Sequence, residues 1–117
     1  MIVTVYGIRN CDTMRKAFAW LEANGVAYEF HDYKKAGVPR GRLERWARQV
    51  GWEALANRRG PTWRRLPEAQ RADPDEARGL ALLEANASAI RRPIVEAGAR
   101  LLIGFDAAEF TRALKAR

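Results

Sequence analysis

The spacing of apolar positions changes along this chain, from alternate residues to steps of three and four, and each change marks an element. Residues 2–6 are a β-branched and aromatic run that reads as a buried strand. Residues 7–12 read as a loop. From Thr13 onward the spacing is helical, with Met14, Ala17, Phe18 and Leu21 on one face and Asp12 placed as the N-cap. Asn24-Gly25 closes this helix, with glycine suited to a left-handed cap. Residues 26–33 alternate in part, with Tyr28, Phe30 and Asp32 on one side, and predict a second strand. A helix joining two strands is a right-handed crossover, so these strands should run parallel.

The middle of the chain reads as helices. Residues 34–37 are a polar turn. Pro39 suits a first helical turn, and Leu43, Trp46, Ala47 and Val50 share a face that Gly51 ends. Residues 52–55 make one short turn and residues 57–62 a glycine- and proline-containing loop. Asp73 is placed to cap a further helix whose apolar face uses Ala77, Leu80, and Leu83 or Ala87. Residues 91–93 are a break. Residues 94–95 and 100–105 then predict a hairpin around a turn at 96–99. Asp106 caps a last helix with Phe110, Ala113 and Leu114 inward. The order is β-α-β, then helices, then β-β-α. It implies one α/β domain over residues 1–117, a thioredoxin-like fold with a mixed four-stranded sheet and a helical subdomain inserted at about residues 38–89.

Composition narrows the setting. A chain of 117 residues, 48% apolar, supports one core. Its longest apolar runs, such as residues 101–103, are far too short to cross a bilayer, which argues against a membrane role. The first residues have neither the basic start nor the apolar stretch of a signal peptide, and one cysteine cannot form an internal disulfide, so a cytoplasmic location is expected. The net charge of +7 comes largely from arginines between Arg40 and Arg92. Such a field attracts anions. No nucleic-acid reader motif accompanies it, which argues against nucleic acid as the partner.

The cysteine carries the clearest chemistry. Cys11 lies after a strand and just before a helix, where backbone N–H groups and the helix dipole favour a thiolate. Arg9, Arg15 and Lys16 are near it in sequence. One histidine, His31, and one cysteine do not make a transition-metal site, and His31 beside Asp32 and Tyr33 reads as structural. Trp20, Trp46, Trp52 and Trp63 read as packing residues. There is no P-loop, dinucleotide fingerprint, Ser-His-Asp pattern or paired-carboxylate arrangement, and no bound cofactor is expected.

Three segments carry a family resemblance. Tyr6-Gly7-Ile8-Arg9-Asn10-Cys11-Asp12-Thr13-Met14-Arg15-Lys16-Ala17 resembles the start of the ArsC/Spx family of arsenate-reductase-like proteins. Residues 51–64 and Ile90-Arg91-Arg92-Pro93-Ile94 resemble later parts of it, and Gly104-Phe105 fits its ending. The resemblance is nearest to the YffB-like branch, proposed to be glutathione-dependent thiol reductases. It implies that Cys11 is the nucleophile and that Arg59 and Arg92 bind an anion, with Arg58 beside them and Asn10 and Arg15 flanking the thiol. Arginine suits this role because it is permanently charged and offers paired donors to an oxyanion or carboxylate. The resemblance also makes Pro93 the candidate cis-proline next to the cysteine. Glutathione is the implied co-substrate, glutathione or a glutaredoxin the implied partner, and a small oxyanion or a disulfide the implied substrate.

The chain also departs from this family. Spx-type regulators carry Cys-x-x-Cys, and Met14 stands at the second position here, so the resemblance implies a one-thiol mechanism resolved by an external thiol. Gly7 stands where arsenate reductases of the glutaredoxin-linked type carry histidine, and Gly104 where they use a third arginine. Each lost charged contact costs on the order of 1.5–3 kcal/mol, which argues against arsenate as the physiological substrate. The alternative reading is a regulator that docks on RNA polymerase without an internal redox switch.

Overall fold

The computed structural model describes residues 2–115. The protein is α/β, with a thioredoxin-like core and a helical unit inserted between its second and third strands. The chain divides into two compact units, one made of residues 1–36 with 92–117 and the other of residues 37–91.

The first unit is built on a four-stranded sheet in the order β2-β1-β3-β4. Strand β1 (Val3–Gly7) is followed by helix α1 (Asp12–Ala23) and strand β2 (Glu29–Asp32). The β1–β2 pair is parallel, with Val5 opposite Phe30 and Gly7 opposite Asp32. Strands β3 (Ile94–Ala97) and β4 (Arg100–Ile103) form the hairpin, and β3 runs antiparallel to β1 with Val5 opposite Val95.

Alternation along these strands puts Val3, Val5, Val95, Ala97 and Leu102 on one face. Met14, Ala17 and Leu21 of α1, at helical spacing, cover that face together with Phe110 and Ala113 from the last helical segment. Phe18 stacks on Tyr28 at 5.4 Å and meets Phe30 edge-on at 5.1 Å. Trp20 is half-buried against Phe110, with ring centroids 5.4 Å apart.

The sequence predicts a longer second strand than the one found. Only residues 29–32 pair, with Thr4 to Gly7 of β1. Tyr28 instead packs its ring on Phe18 and donates its hydroxyl to Glu22 Oε2 at 3.2 Å. After β2 the chain makes a helical turn, α2 (Tyr33–Ala36), which takes in Tyr33, read as the end of the strand, and most of the polar turn expected at residues 34–37. Asp32 Oδ1 starts it by accepting from the Lys34 N–H at 2.9 Å.

The second unit is helical: α3 (Arg40–Val50), α4 (Trp52–Leu55), α5 (Pro61–Arg64), α6 (Glu68–Arg71), α7 (Glu76–Ala85) and a 3-10 turn (Ala87–Ala89). Leu43, Trp46 and Ala47 bury one face of α3, while Val50, expected there, is 39% exposed. Trp52 lies across Gly79 of α7, where a Cβ would stand 2.5 Å from its ring, and packs near Trp63 at 6.0 Å. The segment before the loop is tied to the end of the unit by Asn57 N–H to Ala89 O at 2.8 Å and Arg91 N–H to Leu55 O at 2.7 Å.

Two expectations in this unit are corrected. Pro61 opens a short helix inside the span read as loop, since its fixed φ and missing N–H suit a first turn. Asp75, not Asp73, caps α7: its Oδ1 accepts from the Arg78 N–H at 2.9 Å. Asp73 takes a positive φ of 43° before the buried Pro74, and so belongs to the turn. Ala77 is accordingly exposed rather than in the apolar face. The final helical segment consists of α8 (Ala107–Phe110) and a π turn (Thr111–Lys115), and Asp106 caps it by accepting from the Glu109 N–H at 3.1 Å.

Candidate active site at the start of the first helix

Strand β1 ends at Gly7, and the chain then turns through residues 8–11 into α1. The helix begins one residue earlier than the pattern suggests, so that Cys11 itself, with φ −149° and ψ 135°, is the N-cap and Asp12 is already helical. Cys11 is held from both sides, its N–H on Arg9 O at 3.1 Å and its carbonyl on the Arg15 N–H at 3.0 Å. The side chain is half-buried.

This placement lowers the pKa of the sulfur. The neutral thiol makes no capping hydrogen bond to the helix. Burial pushes the thiol pKa up, but this is outweighed by the N–H of Met14, a hydrogen bond from the Arg92 side chain, the N–H of Thr13 and the charge of Arg92. The net result is a pKa below the ordinary thiol value. The cause is general: a helix start has N–H groups without intrahelical partners, and an anion there accepts from them far more strongly than a neutral thiol.

Arg92 reaches the sulfur from the other end of the chain. It precedes Pro93, the Arg92–Pro93 bond is cis, and Pro93 leads into β3, the neighbour of β1. The Gly104 N–H donates to Pro93 O at 2.8 Å from a residue with φ +79°, a conformation that favours glycine. Gly104 therefore has a backbone task beside the proline.

The other residues singled out in the sequence are distributed differently. Asn10 is exposed immediately before Cys11. Arg15 is paired with Asp12 at 2.7 Å, on the surface, and Arg9 lies over the Phe30 ring at 5.1 Å. Arg59 belongs to the helical unit, where it is exposed, and its neighbour Arg58 lies over Trp52 at 5.8 Å. Trp63 is buried against Trp52. Among the described residues there is no cluster of histidine, cysteine or carboxylate side chains that could hold a metal ion, and no helix is long and apolar enough to cross a membrane.

A polar and aromatic group on the other side of β1 was not legible in the sequence. The Tyr6 hydroxyl donates to Glu96 Oε1 at 2.8 Å, His31 lies 5.2 Å from the Tyr6 ring, and Tyr33 lies 6.0 Å from His31. Tyr33 is buried and its hydroxyl has no hydrogen-bond partner among the described residues. Burial, then Tyr6 and Glu96, push its pKa strongly up against the opposing charge of Arg92, so the hydroxyl stays neutral. Alternation in residues 2–6 does put Tyr6 opposite Val5, but only strand pairing brings Glu96 within its reach.

The model of the ArsC family matches residues 6–113. The chain belongs to the ArsC family. Among solved structures, this ArsC-family chain is similar to the YffB (PA3664) protein, at 48% identity and a TM-score of 0.93, covering 96% of this chain and 98% of the other. It is also similar to an arsenate reductase (ArsC) related protein from Brucella melitensis, at 46% identity and a TM-score of 0.77, covering 98% and 96%. An uncharacterized protein of Haemophilus influenzae is 38% identical over 112 residues, 96% of this chain and 98% of its own. More distant is the global transcriptional regulator Spx of Streptococcus mutans, 28% identical over 90% of this chain and 77% of its own length.

Proposed function

We propose that this protein is an oxidoreductase of the cytosol, a one-thiol reductase that uses glutathione as co-substrate. The observation that carries the reading is Cys11 at the N-cap of α1, where the N–H groups of Met14 and Thr13 and the Arg92 side chain lower the pKa of its thiol. The similarity to an arsenate reductase related protein at 46% identity supports thiol redox chemistry. With one cysteine in the chain, the resolving thiol must come from outside.

The reaction is disulfide exchange. The Cys11 thiolate attacks the glutathione sulfur of a mixed disulfide, a Cys11–glutathione disulfide forms, and the substrate leaves as a thiolate that takes a proton. A second glutathione thiolate then attacks the glutathione sulfur on Cys11. It restores the Cys11 thiolate and releases oxidised glutathione. A glutaredoxin could supply the second step in place of free glutathione. Arg92 stabilises the attacking and the departing Cys11 thiolate. Arg59, Asn10 and Arg15 are proposed to receive anionic groups of the substrate, and Pro93 to flank the thiol.

Arsenate is the less favoured substrate. Gly7 offers no side-chain donor, and Gly104 serves the backbone beside Pro93. The test is turnover of a glutathione mixed disulfide beside turnover of arsenate, with wild type and Cys11→Ser. Disulfide turnover lost in Cys11→Ser supports the reading; full turnover in that variant overturns it. A second reading, a regulator docking on RNA polymerase, is favoured by the likeness to Spx. Retention on immobilised RNA polymerase, with no glutathione-dependent turnover, would decide for it.

A further inference from the structure

Gly7 is the last residue of β1 on the face that α1 covers, two positions after Val5. A Cβ built there would stand 2.6 Å from the Met14 sulfur and 2.7 Å from the Met14 Cε. Met14 is completely buried and belongs to the core cluster with Ala17, Leu21 and Val5. The thioether therefore occupies the space that a side chain on residue 7 would need.

Thioether ends are flexible, and on a surface such a clash would be relieved by a rotation. Here the Met14 side chain is enclosed by the core, so room for a Cβ has to come largely from the first turn of α1. That turn carries the Thr13 and Met14 N–H groups that face Cys11, and its start is tied to the loop through the Arg9 carbonyl. Movement of the turn away from β1 moves those N–H groups relative to the sulfur.

We propose that Gly7 and Met14 act as one positioning pair, in which the thioether seated over the glycine sets the spacing between β1 and the first turn of α1 and so keeps the helix N–H groups on the Cys11 sulfur. The pair rests on the reading of Cys11 as the working thiol, and it gives the absent side chain at residue 7 a use. The geometry needs the glycine for the methionine to fit against β1, and the methionine for the turn to be held.

The test is the pH dependence of iodoacetamide alkylation at Cys11 in the full chain, with thermal unfolding measured beside it. No substrate is involved, so this result stands apart from the turnover of Cys11→Ser that tests the reading itself. Gly7→Ala is expected to raise the alkylation midpoint by about one pH unit, roughly a tenfold loss of thiolate below both midpoints. Met14→Ala is expected to raise it by less. The double variant Gly7→Ala/Met14→Ala should lie below both single variants, because the new methyl group takes part of the vacated space. If Gly7→Ala does not fold, Met14→Ala and the double variant still give the comparison. Midpoints that stay at the wild-type value while melting temperatures fall would show a purely structural contact and overturn the proposal. Single effects that simply add in the double variant would overturn it as well.

Discussion

Two helices of this protein start on different chemistry. Helix α7 starts on Asp75, whose carboxylate accepts from the Arg78 N–H. Helix α1 starts on Cys11, whose neutral side chain makes no such bond. An oxygen cap satisfies the helix start and stabilises it by about 1 kcal/mol. A sulfur cap leaves N–H groups available, and they act on the thiol by favouring its ionised form. The cap at α7 serves the fold. At α1 part of that stability is given up, and the donors of the first turn lower the pKa of a thiol instead.

Substitutions at the two caps should separate these roles. The largest effect is expected from Cys11→Ser, which removes all thiol-dependent turnover in a mixed-disulfide assay. The same variant places an oxygen at the cap of α1. At a pH where the wild-type thiol is neutral, it should unfold at higher denaturant concentration, by about 1 kcal/mol.

Next in size is Arg92→Ala. It removes a hydrogen bond and a charge from the sulfur, so the alkylation midpoint should rise and the rate near neutral pH should fall by about tenfold. A depressed folded-state pKa contributes stability above the unfolded thiol pKa, and this is lost as pH falls through the folded value. Arg92→Ala should reduce the pH dependence of stability in that range, measured by denaturant titration at several pH values.

Asp75→Ala should lower stability by about 1 kcal/mol, a fall of roughly 4 °C in melting temperature, and leave the Cys11 alkylation profile unchanged. A shifted profile would break the separation of roles. The smallest effect on stability is expected from Tyr33→Phe. The lost hydroxyl has no hydrogen-bond partner among the described residues, so stability should stay level or rise by up to about 1 kcal/mol in thermal unfolding.

Much of the fold was legible because its signals are local. The β-branched run of β1, the spacing of Met14, Ala17 and Leu21, and the Asp106 cap each depend on a few adjacent residues. Misplaced boundaries fell where a distant partner decides. The length of β2 depends on how many residues β1 can pair, and the exposure of Val50 depends on what the rest of its unit covers. Asp73 and Asp75 both suit a cap by type, and the positive φ at Asp73 selected between them.

The candidate site shows the same division. Cys11 at a strand-to-helix junction is readable from the sequence alone, because the run before it and the periodicity after it place the helix start to within a residue. The meeting of Cys11 with Arg92, residues far apart in the chain, needed β1 and β3 to be neighbours in the sheet. Gly7 and Met14 each stand out in the sequence as a departure from the family pattern, but their mutual fit exists only where α1 packs on the end of β1. Local sequence singled out the residue proposed to carry the chemistry. Tertiary structure decided what surrounds it, because an N–H and a guanidinium act on a sulfur strongly only when the fold brings them close to it.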